Sequence, residues 1–270
     1  MAEVKILITP DHIKAAASKA AELIKKLDYE VLFLNFSRNL ENGIKELAEG
    51  APYDYVLDRL RELKLIPEPT GSWEYGAEPI LRALRGIQLK KPGLKIHCYK
   101  DPDLTSLSEQ LAEKTALLIF RWCSTGKMEL EEWKALLASW LDLETEALDR
   151  EADLLIKKAE VGDKNVCIAG FNGRHIKAHL KEAGYHVRLQ CLYVPYHFTP
   201  LEILAREIRL APSKGSTLPS QRIEELMEQH ARFIRDYVTV SENYDDAHRH
   251  WMWDRAPWLR HRMTLKPSLP

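Results

Sequence analysis

The sequence lacks most of the signatures by which an activity is read directly from a chain. It has no GxxxxGK[ST] loop, and SKGST at 213–217 has neither that spacing nor a strand before it. No GxGxxG follows the first apolar run, and no GxSxG elbow occurs. Nucleotide binding through those loops and a serine nucleophile on such an elbow are therefore not expected. The four cysteines, Cys98, Cys123, Cys167 and Cys191, are widely spaced without a CxxC pair, which argues against a thiol redox pair or zinc ribbon. Three lie in apolar runs (KIHCY, NVCIAG and LQCLYV), where a cysteine serves as a small buried hydrophobe.

An excess charge of either sign is also missing. Lys+Arg 39 against Asp+Glu 40 leaves a formal charge of -1, so the global field favours neither nucleic acid nor an anionic membrane surface. Apolar runs are strand-sized, well short of the roughly 20 residues that span a bilayer. The opening MAEVKILIT has no basic stretch leading into an apolar segment, so no secretory signal is expected and a cytoplasmic chain is.

What remains is an alternation of short apolar runs with helical patterns, which predicts a mainly parallel five-stranded α/β sheet flanked by helices. Strands are expected at Val4–Thr9, Val31–Phe36, Leu94–Tyr99, Asn165–Ala169 and Val187–Val194. Helices are expected at Asp11–Leu27, after the second strand to about Leu63, and at Pro79–Arg85 beyond the Pro/Gly-rich IPEPTGSWEYG. Residues 103–160 read as a helical insertion of three helices, Leu104–Cys123, Leu130–Leu141 and Glu144–Ala159; ALLIFRW within it is also strand-compatible. A helix is expected at Arg174–Ala183, ended by Gly184. This organisation places an α/β domain at 1–198 and a helical C-terminal extension at 199–270, with helices Thr199–Leu210 and Gln221–Val240.

Ligands of open parallel sheets bind beyond the carboxyl ends of the strands. If the strands are parallel, Asp11 and His12, Asn35 to Arg38, Lys100 and Asp101, Asn172 to His175, and Tyr196 and His197 approach one edge. Such a set could support acid–base chemistry, metal binding or capture of an anion, while solvated loops also carry polar residues for no chemical reason. His175 and His179 share a helical face at a spacing that suits one metal, but the glutamate of HExxH is absent and no third ligand is evident in the sequence. A solvated face is the expectation for that pair. Glu78 opens a helix, where the dipole alone favours a carboxylate, and Arg150 and Glu151 fall early in the helix leading to the fourth strand.

The stretches KILITPDHIKAAASKAAELIKKLDYEVLFLNFSRNLENGIKEL, GAEPILRALRGIQLKKPGLKIHCYKDPD and ALDREADLLIKKAEVGDKNVCIAGFNGRHIKAHLKEAG occur in that order over about Val4–Val194. They resemble the TraB-like proteins of the erythromycin esterase/ChaN/Tiki superfamily, with two GxxH-type turns and, between them, helices carrying glutamate and arginine. The resemblance implies site roles for His12, Arg38, Glu78, Arg150 and His175. It implies a hydrolase-like enzyme in which His12 and His175 act as acid/base or as ligands of a divalent metal, Arg38 and Arg150 hold an anionic group, and Glu78 polarises water. TPDH lacks the glycine of the first turn, and Asn35 stands where the family carries a carboxylate; Asn cannot act as a base. The alternative is therefore a non-catalytic scaffold that binds a small anionic ligand or a protein partner. The tail DDAHRHWMWDRAPWLRHRM gathers Trp251, Trp253 and Trp258, expected to pin the tail to its own domain or to form a homo-oligomer contact in preference to stacking on nucleic acid.

Overall fold

The computed structural model describes residues 2–67, 71–127, 129–159, 162–211 and 218–256. They fall into two compact units, one of residues 1–110 and 142–194, the other of residues 111–141 and 195–270. The middle of the expected insertion thus groups with the C-terminal segment rather than with the α/β domain.

The first unit is built on strands β1 (Glu3–Ile8), β2 (Val31–Ser37), β3 (Lys95–Lys100), β4 (Lys164–Ala169) and β5 (His186–Cys191). They form one parallel sheet in the order β3-β2-β4-β1-β5. Alternate residues face opposite sides, and both sides of the inner strands are covered, which is why VLFL and NVCIA read as continuous apolar runs. Leu7, Leu32, Leu34, Ile96, Cys98, Val166 and Ile168 pack with α1 (Lys14–Ile24), α2 (Glu41–Glu49), α3 (Tyr53–Glu62) and α4 (Gly71–Lys90). Ile6, Ile8, Phe33, Tyr99, Cys167 and Ala169 pack on the other face with Leu155 and Ala159 of α6 (Leu130–Ala159) and Ile176 and Leu180 of α7 (Gly173–Glu182). The helices that follow β1 and β4 therefore lie on opposite faces, which opens a crevice at the carboxyl ends of these neighbours.

Several boundaries differ from expectation for identifiable reasons. α4 runs 20 residues and takes in GSWEYG and Pro79. Its face of Ala77, Ile80, Leu81, Leu84 and Ile87 is buried, and that tertiary packing outweighs the local breakers. Leu130–Ala159 is one 30-residue helix, because LDLE between the two expected helices contains no breaker. ALLIFRW lies inside helix α5 (Pro102–Thr125). β5 stops at Cys191, which pairs with the last residue of β1, Ile8; the chain beyond β1 meets Pro10, which has no N–H to donate. β5 is an edge strand, and so Cys191 is exposed rather than buried, as is Cys123 on α5.

The second unit contains α8 (Pro200–Leu210), α9 (Ser220–Phe233) and α10 (Tyr244–Arg255). Leu118, Trp133, Leu137, Leu204, Ile223, Leu226 and Met227 form its core. α8 starts on a capping box, in which Thr199 and Glu202 satisfy each other's backbone N–H groups. α9 gives way at Ile234–Val238 to a π turn, marked by Thr239 N–H donating to Ile234 O, so the expected helix to Val240 ends early. Trp251 is buried against Phe233 and Tyr237 within this unit. Trp258 lies outside the described residues.

Candidate functional site

The carboxyl ends of β1, β2 and β3 border a cavity of about 250 Å³. Its apolar lining includes Leu34, Phe36, Leu40, Trp73, Ile80 and Leu104, and its polar lining Asp11, His12, Asn35, Ser37, Lys100 and Thr105. An apolar floor with a few convergent polar groups is the usual make-up of a small-molecule site.

A chain of hydrogen bonds across three strands sets the polar wall. The Tyr99 hydroxyl, fully buried, lies 3.1 Å from Asn35 Oδ1 and 3.0 Å from Ile168 O, and its proton is shared between the two. Burial raises its pKa well above that of a free tyrosine, so it stays a donor. Donation to Oδ1 fixes the amide so that Asn35 Nδ2 faces out and donates to Asp11 Oδ1 at 2.9 Å. Asp11 follows β1 and Asn35 lies on β2, with β4 between them. The contact thus spans two strand spacings, roughly 10 Å. Gly170, the residue after β4, leaves room for it: a Cβ there would stand 3.0 Å from Asp11 Oδ2.

His12 sits in the left-handed region at φ 67. Histidine is among the side chains that tolerate this conformation, and such residues concentrate at functional sites. α4 closes on the turn at Gly76, where a Cβ would stand 3.3 Å from His12 Cα.

A second cluster ties the ends of β2 and β3 to α6. Asp101, with a side chain 2% exposed, accepts from Arg38 Nη2 at 2.7 Å and from Arg150 Nε at 2.9 Å, both on Oδ2. Its Oδ1 accepts the Asp103 N–H at 3.0 Å and so caps α5. Burial alone would raise the Asp101 pKa, but the hydrogen bond from Arg150, the capped N–H and the two guanidinium charges outweigh it and hold the carboxyl below its usual range. Glu151, buried beside it, accepts from the Asp101 N–H at 3.0 Å and from Asn172 Nδ2 at 3.3 Å; burial pushes its pKa up.

The five residues singled out from the sequence fall into separate groups. His12 lines the cavity, and Arg38 and Arg150 meet on Asp101. Glu78, on α4, is bound to Lys14 at 2.6 Å and Arg82 at 2.8 Å, whose hydrogen bonds hold it below the usual carboxylate range. His175, on α7, lies 3.0 Å from Asp149 Oδ1. His12 and His175 were the expected metal ligands; among the described residues, the group of three metal-capable donors within mutual reach contains His175 but not His12. Tyr196 and His197 belong to the second unit. Tyr99 and the role of Gly170 carry no motif, and the Asp11–Asn35 contact depends on strand order. Among the described residues, no helix is long and apolar enough to cross a membrane.

No protein-family model matches the chain, and neither does any curated protein or solved structure.

Proposed function

We propose that the chain is a hydrolase-like enzyme for a small substrate with an apolar body and an anionic group, bound at the carboxyl edge of the sheet. One observation carries this reading. A carboxylate does line the cavity, supplied by Asp11 and held in place by Asn35, the residue whose identity argued against a base. Asp11 is assigned as general base, taking a proton from the attacking water. His12, next to it in the chain, lines the same cavity and can donate to the oxygen on which charge develops, while Lys100, at the end of β3, adds a positive charge to the lining. Arg38 and Arg150, each with about half of its side chain in solvent, receive the anionic group while Asp101 fixes their orientation. The ordered resemblance to TraB-like proteins supports the same class of chemistry.

The second reading, a scaffold that binds such a ligand without turning it over, is favoured by Glu78. A carboxylate committed to two cations is a poor base. Nitrophenyl esters of short acyl chains and nitrophenyl phosphate separate the two readings, together with displacement of an anionic naphthalene sulfonate probe from the protein. Catalytic release of nitrophenolate supports the enzyme. Probe binding weakened by Lys100→Ala, with no turnover of any substrate, supports the scaffold.

A further inference from the structure

A cluster apart from the cavity gathers two imidazoles and a carboxylate. His175 and His179 lie one turn apart on α7, with ring centroids 4.4 Å apart. Asp149 on α6 places a single oxygen, Oδ1, 3.0 Å from His175 Nε2 and 3.6 Å from His179 Nε2. His175 Nε2 is shielded from solvent and, despite its closeness to that oxygen, makes no hydrogen bond. None of the three residues lines the cavity.

We propose that Asp149, His175 and His179 bind a divalent transition-metal ion of the zinc class. Bonds of about 2.0–2.1 Å in a tetrahedral site set donors roughly 3.3 Å apart. The two separations from Asp149 Oδ1, 3.0 and 3.6 Å, bracket that spacing, and all three donor atoms lie within 4.8 Å of one another, so side-chain rotation can bring them onto one ion. The ion would take up the Nε2 lone pair that no hydrogen bond now uses, with the ring proton on Nδ1. Two imidazoles with one carboxylate suit Zn²⁺, Co²⁺ or Ni²⁺, whereas Ca²⁺ and Mg²⁺ demand a shell of oxygens. Three protein ligands leave a fourth position for water. This site does not depend on the hydrolase reading.

The test is titration of the untagged, chelator-treated chain with Co²⁺, followed by visible ligand-field absorption and displacement by Zn²⁺. One equivalent should saturate the signal. His179→Ala should weaken binding more than about 100-fold, beyond the 10–100-fold typical of losing a residue that only supports a ligand. Asp149→Asn should weaken it too, with far-UV circular dichroism unchanged in both variants. His12→Ala should bind as the native chain does, because the cavity histidine is not a ligand. Absence of the absorption at excess Co²⁺, or an unchanged titration in His179→Ala, overturns the proposal.

Discussion

Removing the Asp101 side chain probes the junction on which the strand-end edge rests. Asp101→Ala deletes the cap on α5, typically worth about 1 kcal/mol, and two charge-assisted hydrogen bonds. A buried pair of such bonds would be worth about 1.5–3 kcal/mol each. Here the arginine side chains are 40% and 47% exposed and regain water when released, so each bond is set at about 0.5–1 kcal/mol. The expected loss is therefore about 2–3 kcal/mol near neutral pH. Asp101→Asn keeps an oxygen for the Asp103 N–H but turns an amide donor toward two guanidiniums, so it should keep the cap and forfeit at least the ion-pair part. The sign with pH follows from the lowered pKa. The Asp101 contribution is present above the unfolded value near 3.9 and is lost as pH falls through the lower folded value. Urea titrations of native and variant chains, followed by tryptophan fluorescence and circular dichroism, read the gap. A destabilisation under about 0.5 kcal/mol, or a gap that does not narrow in acid, would mean that Asp101 does not hold this junction together.

Three further outcomes follow from neighbouring geometry. Glu151 has a raised pKa, so its cost appears as pH rises through the folded value. Glu151→Gln should be neutral or stabilising at pH 8 relative to pH 5, since the Gln amide can still accept from Asp101 N–H and donate to the unpartnered Asn172 Oδ1; denaturation midpoints at the two pH values check this. In the second unit, burial lowers the His230 pKa to about 4. The folded state then binds fewer protons than the unfolded state between pH 6.5 and 4. Acidification through that window should cost on the order of 3 kcal/mol, and His230→Leu should abolish this loss in a pH series of unfolding curves. Gly170→Ala should displace Asp11 from Asn35 and cut turnover at least tenfold with little change in the denaturation midpoint; unaltered kinetics would mean that the Asp11–Asn35 contact is dispensable.

The inner strands were legible because double-sided burial writes an unbroken apolar run, and α7 because its apolar face is bounded by Gly184. α4 was not, since GSWEYG and Pro79 carry breaker signals that yield only to packing against α1 and α2. The rim was legible as a list but not as a site. Asp11 meets Asn35 across β4, a contact set by the order β3-β2-β4-β1-β5, which no local pattern encodes. For the same reason the third group beside His175 and His179 was invisible: Asp149 lies 26 residues before His175 on another helix, and the two helices meet only because both pack on one face of the sheet.

In the proposed hydrolase, Asp11 rather than Glu78 is the working carboxylate of the strand-end cavity. The most direct test of this assignment is kcat for the best nitrophenyl substrate in Asp11→Asn and Glu78→Gln, measured side by side. Asp11→Asn should lower kcat about 10²–10⁴-fold, the usual worth of a general base, and Glu78→Gln less than about tenfold. The reverse order, with Glu78→Gln inactive and Asp11→Asn near native, would contradict it.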